Sequence, residues 1–264
     1  MTQTAQTGFS PEEQFFLQVL RDHVHGRDTA PPPDGLNWDR LARLAHSQQV
    51  SGIVYVQCRA WLRDSEAVRT QLHEEFYSAV YYAVSRREDI RALETAFTAA
   101  DIPFLLVKGA EVQSCYPVPQ LRTMGDTDVL IHPRDRARAD ALLKAQGYTC
   151  TVECPAVWSY RRGPVKYEVH DHMIYEPVIG DVDYAAYFER AWEHVRPLAD
   201  SSRVQLDESC HFLYLITHTA KHLVNKGYGF RPFLDLVFLC RSAGERMDWT
   251  WIAQELRALR LERF

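Results

Sequence analysis

The 264-residue chain lacks several signatures, and each absence narrows what it can be. Its six cysteines (Cys58, Cys115, Cys150, Cys154, Cys210 and Cys240) form no CxxC pair, and the closest two, Cys150 and Cys154, are separated by three residues. Free thiols in a reducing compartment are the simplest reading. The opening residues MTQTAQTGFSPEE carry neither the basic nor the apolar stretch of a secretion signal, so a cytoplasmic location is the expectation. No apolar run approaches the roughly 20 residues needed to cross a bilayer, so no membrane partner is expected. Basic excess is missing as well: 30 Lys and Arg face 35 Asp and Glu, a formal net charge of -5. A protein that grips a polyanionic backbone favours a basic surface, so no nucleic-acid partner is expected, although a local basic pocket for a triphosphate stays open. There is no HExxH; the run holding two histidines at helical spacing is His218-Thr219-Ala220-Lys221-His222. No internal repeat or low-complexity tract is present.

What is there begins with helices. Residues 1–9 read as a polar, disordered tail, and 10–100 as an N-terminal helical region. Ser10-Pro11-Glu12-Glu13 has the pattern of a capping box with proline at the first helical position. A second helix starts at Asn37 or Asp39. A longer one is predicted from about Ser65 to Ala100, where Leu72, Phe76, Val80, Ile90, Leu93 and Phe97 recur at helical spacing. This layer shows no residues arranged for chemistry. The pattern changes over 101–200. Phe104-Leu105-Leu106-Val107 is a short apolar run bounded by Pro103 and Gly109, as in a buried strand. A short helix from Ala110, a strand from Asp126 to Pro133, a helix from Arg136 to Gln146 and strands over 148–152, 158–161 and 165–175 follow. From about 201 to 264 the chain reads as helical again, interrupted by a glycine turn at Gly227 and Gly229.

The chemistry concentrates on carboxylates. Asp126 and Asp128 are two apart, so on a strand both point to one side. Paired carboxylates repel unless a cation bridges them, which suits a hard divalent ion. Gly125 before them lets the backbone approach a ligand. Glu168 can supply a third acid, since Glu168, His170 and His172 alternate onto one face. Two metals held by such acids serve phosphoryl transfer, one at the attacking hydroxyl and one at the leaving pyrophosphate. Lys108-Gly109 opens a helix, where backbone N–H groups favour an anion, and Arg122 lies four residues before Asp126. Taken singly, each of these has a bland reading: a solvated strand end, a helix-start glycine, a surface cation.

Together the residues resemble a known family. Ile102-Pro103-Phe104-Leu105-Leu106-Val107-Lys108-Gly109-Ala110, then Tyr116-Pro117, then Leu121-Arg122-Thr123-Met124-Gly125-Asp126-Thr127-Asp128-Val129-Leu130 look like the uncharacterised bacterial nucleotidyltransferases of the DNA polymerase β-like superfamily. The similarity reaches Tyr167-Glu168-Val169-His170, then His218, Lys221-His222 and Phe230-Arg231-Pro232-Phe233-Leu234-Asp235-Leu236. The resemblance implies an α+β fold: a polymerase β-like mixed sheet with helices, flanked by N-terminal and C-terminal helical segments. It implies transfer of a nucleotidyl group from an NTP, ATP foremost, to an unidentified hydroxyl acceptor with Mg²⁺ or Mn²⁺. Asp126, Asp128 and Glu168 would be the catalytic and metal-binding acids. Lys108, Gly109, Arg122 and Gly125 would lie near the triphosphate, with His170, His218, Lys221, His222 and Arg231 lining the cleft. The chain departs from the superfamily in carrying Gly109-Ala110 where Gly-Ser or Gly-Gly is usual, which removes a hydroxyl from the triphosphate site. Asp171 competes with Glu168 for third acid only if a bulge reverses the strand face.

Two further readings stand beside this one. A degenerate nucleotidyltransferase fold could bind a nucleotide or a partner without chemistry; the presence of all three acids argues against it. A metal-dependent hydrolase could use His170, Asp171, His172, His218 and His222, but Lys221 between the helical histidines disfavours a cation. A zinc site from Cys150, Cys154, His170 and His172 is a weaker variant.

Overall fold

The computed structural model describes residues 8–225 and 229–264. They form two compact units, one reaching to residue 81 and including 229–231, the other holding 82–228 and 232–264.

The first unit is helical. Helix α1 (Pro11–Val24) starts as its sequence demands: the Ser10 hydroxyl accepts from the Glu13 amide at 3.3 Å, and the Ser10 amide donates back to the Glu13 carboxylate at 2.7 Å. Asn37 caps α2 (Trp38–Ser47) by accepting from the Arg40 amide. With α3 (Ser51–Cys58) these helices bury Phe16, Val19, Leu41, Ile53 and Val54, and Phe15 meets Trp38 edge to face at 6.3 Å. The long α4 (Glu66–Ala99) begins in this unit and continues into the second.

The second unit is built on a seven-stranded mixed sheet in the order β3-β4-β5-β2-β1-β7-β6. Strand β1 (Phe104–Val107) leads through the four-residue α5 (Gly109–Val112) to β2 (Thr127–Ile131), its antiparallel neighbour. Helix α6 (Arg136–Ala145) ends before Gly147, whose φ of 84° is the left-handed turn that glycine favours. Then β3 (Thr149–Cys154), β4 (Val157–Arg162) and β5 (Val165–His170) form a meander that returns β5 alongside β2 in parallel. Helix α7 (Tyr184–Glu189), strands β6 (Val195–Pro197) and β7 (Arg203–Leu206), and helices α8 (Glu208–Asn225), α9 (Arg231–Ala243) and α10 (Trp249–Ala258) complete the chain. The expected α+β mixed sheet flanked by helices is therefore present.

Two local expectations differ, and others fall outside the described residues. The strand read to 175 stops at His170, because the chain bends at Asp171 and His172. The sheet also gains β6 and β7, which the short, polar stretches Val195–Pro197 and Arg203–Leu206 did not advertise. Gly227 of the glycine turn, and most of the N-terminal tail, lie outside the described residues.

Both sheet faces are covered. One packs Phe104, Leu106, Val129, Ile131, Tyr167 and Val169 with Leu93 and Phe97 of α4 and Leu143 of α6. The other packs Leu105, Val107 and Leu130 with Leu213 and Tyr214 of α8 and Phe188 of α7. Asp128 alternates with Leu130, so its carboxylate belongs to the α8-facing side. Burying a carboxylate there requires partners.

Candidate active site

The pairing register assembles the acids. Val107 stands opposite Asp128 on β1–β2, and Asp128 opposite Glu168 on β2–β5. Residues forty positions apart in sequence thus become lateral neighbours. Asp128, Glu168 and His170 each offer a ligand atom within 4.8 Å of the others, the metal-type cluster found among the described residues. Asp126 stands one residue before β2 rather than on it. It joins the group through Lys166, whose Nζ donates to Asp126 at 3.4 Å and to Glu168 at 2.5 Å.

Lysines neutralise much of this charge. Lys108 Nζ donates to Asp128 Oδ1 at 2.6 Å, and His170 Nε2 lies 3.0 Å from the same oxygen. Burial works against ionising Asp128, but Lys108 and His170 outweigh it and hold its pKa well below the carboxylate range. Burial also works against the Lys108 ammonium, and Asp128 more than restores it, raising its pKa. Asp126 goes the other way: burial, then the charges of Asp128 and Glu168, raise its pKa. Three acids thus face two ammonium groups.

Lys108 is delivered by an unusual backbone. Its φ of 54° and ψ of -126° lie where residues with a Cβ are rarely found. Gly109 follows at the start of α5, and a Cβ there would stand 2.6 Å from Cζ of Arg122. Glycine is needed because the guanidinium occupies the space a Cβ would take. Arg122 itself is tied to Asp235 of α9, with Nε donating at 3.1 Å and Nη2 at 2.6 Å. The Tyr116 hydroxyl donates to the same carboxylate at 2.7 Å, and Arg122 Nη1 donates to the Thr123 carbonyl at 3.1 Å. The residue expected at the triphosphate is thus engaged as a buried brace under Lys108-Gly109. Gly125 lies in the turn before the acids with open space where a Cβ would project.

Helix α8 supplies one more wall. Tyr214 and His218 have ring centroids 6.0 Å apart, and His218 Nε2 lies 3.1 Å from His222 Nε2. Burial, then the charge of Lys108, pushes the His218 pKa well below that of a free imidazole, so His218 stays neutral. Lys221 is lowered by burial and pairs with Glu176 at 3.3 Å; Lys108 and Asp128 are within its electrostatic reach. Arg231 opens α9 in the first unit, whereas the acids are in the second.

Two residues escaped sequence reasoning. Lys166 precedes Glu168 by two on β5, so the alternation that singled out Glu168 could have found it. Arg86 sits in the middle of α4, in the layer read as free of chemistry. It donates to the Met124 carbonyl at 2.9 Å, where the charge of Asp126 partly offsets its burial. No local pattern marks it. Asp171 hydrogen-bonds His172 at 2.7 Å, past the end of β5, so Glu168 is the acid beside Asp128. Of the cysteines proposed for zinc, Cys154 is exposed and Cys150 half-buried, and neither joins the metal-type cluster.

The donor set fits a hard divalent cation. It consists of carboxylate oxygens and one imidazole, and the two lysine ammonium groups already show that positive charge is stable against these oxygens.

Comparison with known proteins agrees with this architecture. None of the proteins of curated function matches the sequence. The solution structure of the antibiotic-resistance factor ANT(2'')-Ia shares the fold at a TM-score of 0.50 and 13% identity, over 68% of this chain and 93% of that one. The crystal structure of ANT(2'')-Ia with adenylyl-2''-tobramycin does so at 0.50 and 12% identity, over 66% and 98%. Residues 34–264 match the model of the family described as uncharacterised nucleotidyltransferase, so the chain belongs to that family and is a transferase enzyme.

Proposed function

We propose that the chain moves an NMP group from an NTP, ATP foremost, to a hydroxyl of a small molecule, peptide or protein. The observation that carries this reading is the convergence of Asp128, Glu168 and His170, with Asp126 joined to them through Lys166 and with Lys108 beside them, on the inner strands of the sheet. Fold similarity to an enzyme seen with an adenylylated product supports it. In the transfer, the acceptor oxygen forms a bond to the α-phosphorus, the α–β P–O bond breaks and pyrophosphate leaves with the electron pair. Asp126, Asp128 and Glu168 would hold Mg²⁺ or Mn²⁺, which when bound would polarise the phosphoryl oxygens and offset the charge of the leaving group. His170 keeps Asp128 oriented through its Nε2 contact. Glu168 either completes the ligand set or takes the hydroxyl proton. Lys108 and Lys166 supply cationic contacts for the triphosphate once they exchange a carboxylate for a phosphate oxygen.

One observation favours a second reading. Lys108 and Lys166 close directly onto the acids, as a binding protein without chemistry could also arrange. The two readings separate in calorimetric titrations with ATP, GTP, CTP and UTP, with and without Mg²⁺, on the native chain and on Asp126→Asn/Asp128→Asn. The enzyme reading expects one triphosphate to bind only with Mg²⁺ and the double variant to lose it. Binding that ignores both the metal and the aspartates would give precedence to the non-catalytic reading.

A further inference from the structure

Beyond the acids, on the same sheet face, lies a cavity of about 200 Å³. Leu130 of β2 and His132 just after it, Asp171 and His172 after β5, Phe188 and Glu189 of α7, and Trp192 line it. Leu130 stands two residues past Asp128 on β2, roughly 7 Å further along that strand, and Asp171 and His172 follow His170 directly where β5 ends. The cavity is therefore contiguous with the acids in direction and face.

Its chemistry is the reverse of theirs. Lys108, Lys166 and Arg86 all contact groups at the opening end of β2, at or before Asp128. Among the described residues no Lys or Arg lines the cavity, whereas Asp171 and Glu189 do. The nearest arginines in sequence are directed elsewhere: Arg134 pairs with Asp135 at 3.7 Å, and Arg190 lies over the Tyr187 ring at 5.8 Å. A triphosphate therefore finds cationic contacts at the opening end of β2 and carboxylates without them among the described residues of the cavity. In-line transfer places the attacking oxygen opposite the leaving pyrophosphate. If the triphosphate takes the lysine side, the acceptor must enter from the cavity side.

The walls say what kind of acceptor. Trp192 stacks on His132 with centroids 3.8 Å apart and planes 23° apart, making a rigid aromatic wall over the apolar floor of Leu130, Met173 and Phe188. Asp171 and His172, 2.7 Å apart, and Glu189 add hydrogen-bonding groups at the rim. An apolar wall with a few fixed polar groups is how proteins orient a small polar ring. We propose that this cavity is the acceptor subsite, taking a hydroxyl-bearing ring that is neutral or cationic and rejecting its phosphorylated counterpart. The acceptor role rests on the nucleotidyl-transfer reading; the ring preference rests on the cavity alone.

Three probes with one ring frame test it: D-glucosamine, D-glucose and D-glucose 6-phosphate, titrated into the full chain. The readout is the indole N–H resonance of Trp192, assigned by its loss in Trp192→Phe. Glucosamine is expected to shift it at the lowest concentration, glucose at a higher one, and the phosphate not at all. Glu189→Lys should weaken glucosamine binding at least fivefold while MgATP titration stays as in the native chain. An indole signal unmoved by every probe, or moved as readily by the phosphate as by glucosamine, overturns the proposal even if MgATP binds. Sugars that bind in a chain that does not bind MgATP would sink the acceptor role together with the nucleotidyl reading, leaving only a ring site.

Discussion

Two ionic clusters of the second unit, one buried and one partly open, obey different rules. Arg122, Asp235 and Tyr116 form a closed set: one cation meets one anion in two parallel hydrogen bonds, and the hydroxyl takes up remaining acceptor capacity. Asp126, Asp128, Glu168, Lys108 and Lys166 form an open set, with three acids against two lysines and the Asp126 pKa raised by burial and by its acidic neighbours. A balanced cluster holds structure together; an unbalanced one has charge left to give a ligand. Both touch the Lys108-Gly109 turn, which lets the first position the second.

The largest contrast should come from the open set. On the proposed nucleotidyl-transfer reading, Asp128→Asn is expected to cut activity by roughly 10³-fold or more, since several kcal/mol of charge stabilisation would rest on the proposed ligand set. Its stability loss should be the smaller effect, because Lys108 still feels the charge of Asp126 when Asp128 is lost. Pyrophosphate release and urea unfolding on one preparation test both halves. A stability loss that matches the loss of activity would erase the distinction between the clusters.

In the closed set the order reverses. Arg122→Ala leaves Asp235 buried without its cation and should cost about 3–5 kcal/mol in urea unfolding. Arg122→Met/Asp235→Leu should recover most of that, since an apolar pair of similar volume avoids the uncompensated charge. If the double variant is no better than the single one, the brace does more than balance charge. Gly109→Ala tests the link between the sets. The added methyl meets the Arg122 guanidinium, and overpacking of this kind costs about 1–3 kcal/mol. Lys108 should shift with it, so affinity for MgATP should fall along with stability.

The smallest effect is a pH slope. His211 is fully buried, and burial lowers its pKa, opposed by Glu111, Asp235 and Glu208. Its folded pKa is below the unfolded value near 6.5, so the unfolded chain binds the proton first as pH falls. Stability is therefore retained above about pH 6.5 and lost below it, by at most about 1.4 kcal/mol per pH unit from this group. His211→Gln should flatten the stability profile below pH 6.5; an unchanged slope would move the effect to other histidines.

How far the sequence reveals this depends on the range of each interaction. The capping box at Ser10 and the apolar run at Phe104–Val107 are local, and each appears where the pattern puts it; the alternation from Glu168 holds to His170, and His172 lies past the end of the strand. The meeting of Asp128 with Glu168 was reachable through the family resemblance but not from spacing, because parallel pairing leaves no local trace. Arg122 shows the limit most clearly. In sequence it is a cation four residues before an acid, and a triphosphate is a natural partner. In space it meets Asp235, 113 residues later, and that carboxylate decides its role. Arg86 was invisible for the same reason: a helix surface looks alike whether it faces water or an acid cluster.

The parallel seam between β2 and β5 has a kinetic consequence. No hairpin can bring Asp128 to Glu168; the connection through α6, β3 and β4 must close for the two strands to align. Pairings of such sequence separation pay their loop-closure entropy before any contact rewards it, and they form slowly. During refolding the chain should therefore regain most of its helix before it regains any affinity for a cation, making the acid cluster a late arrival rather than a nucleus.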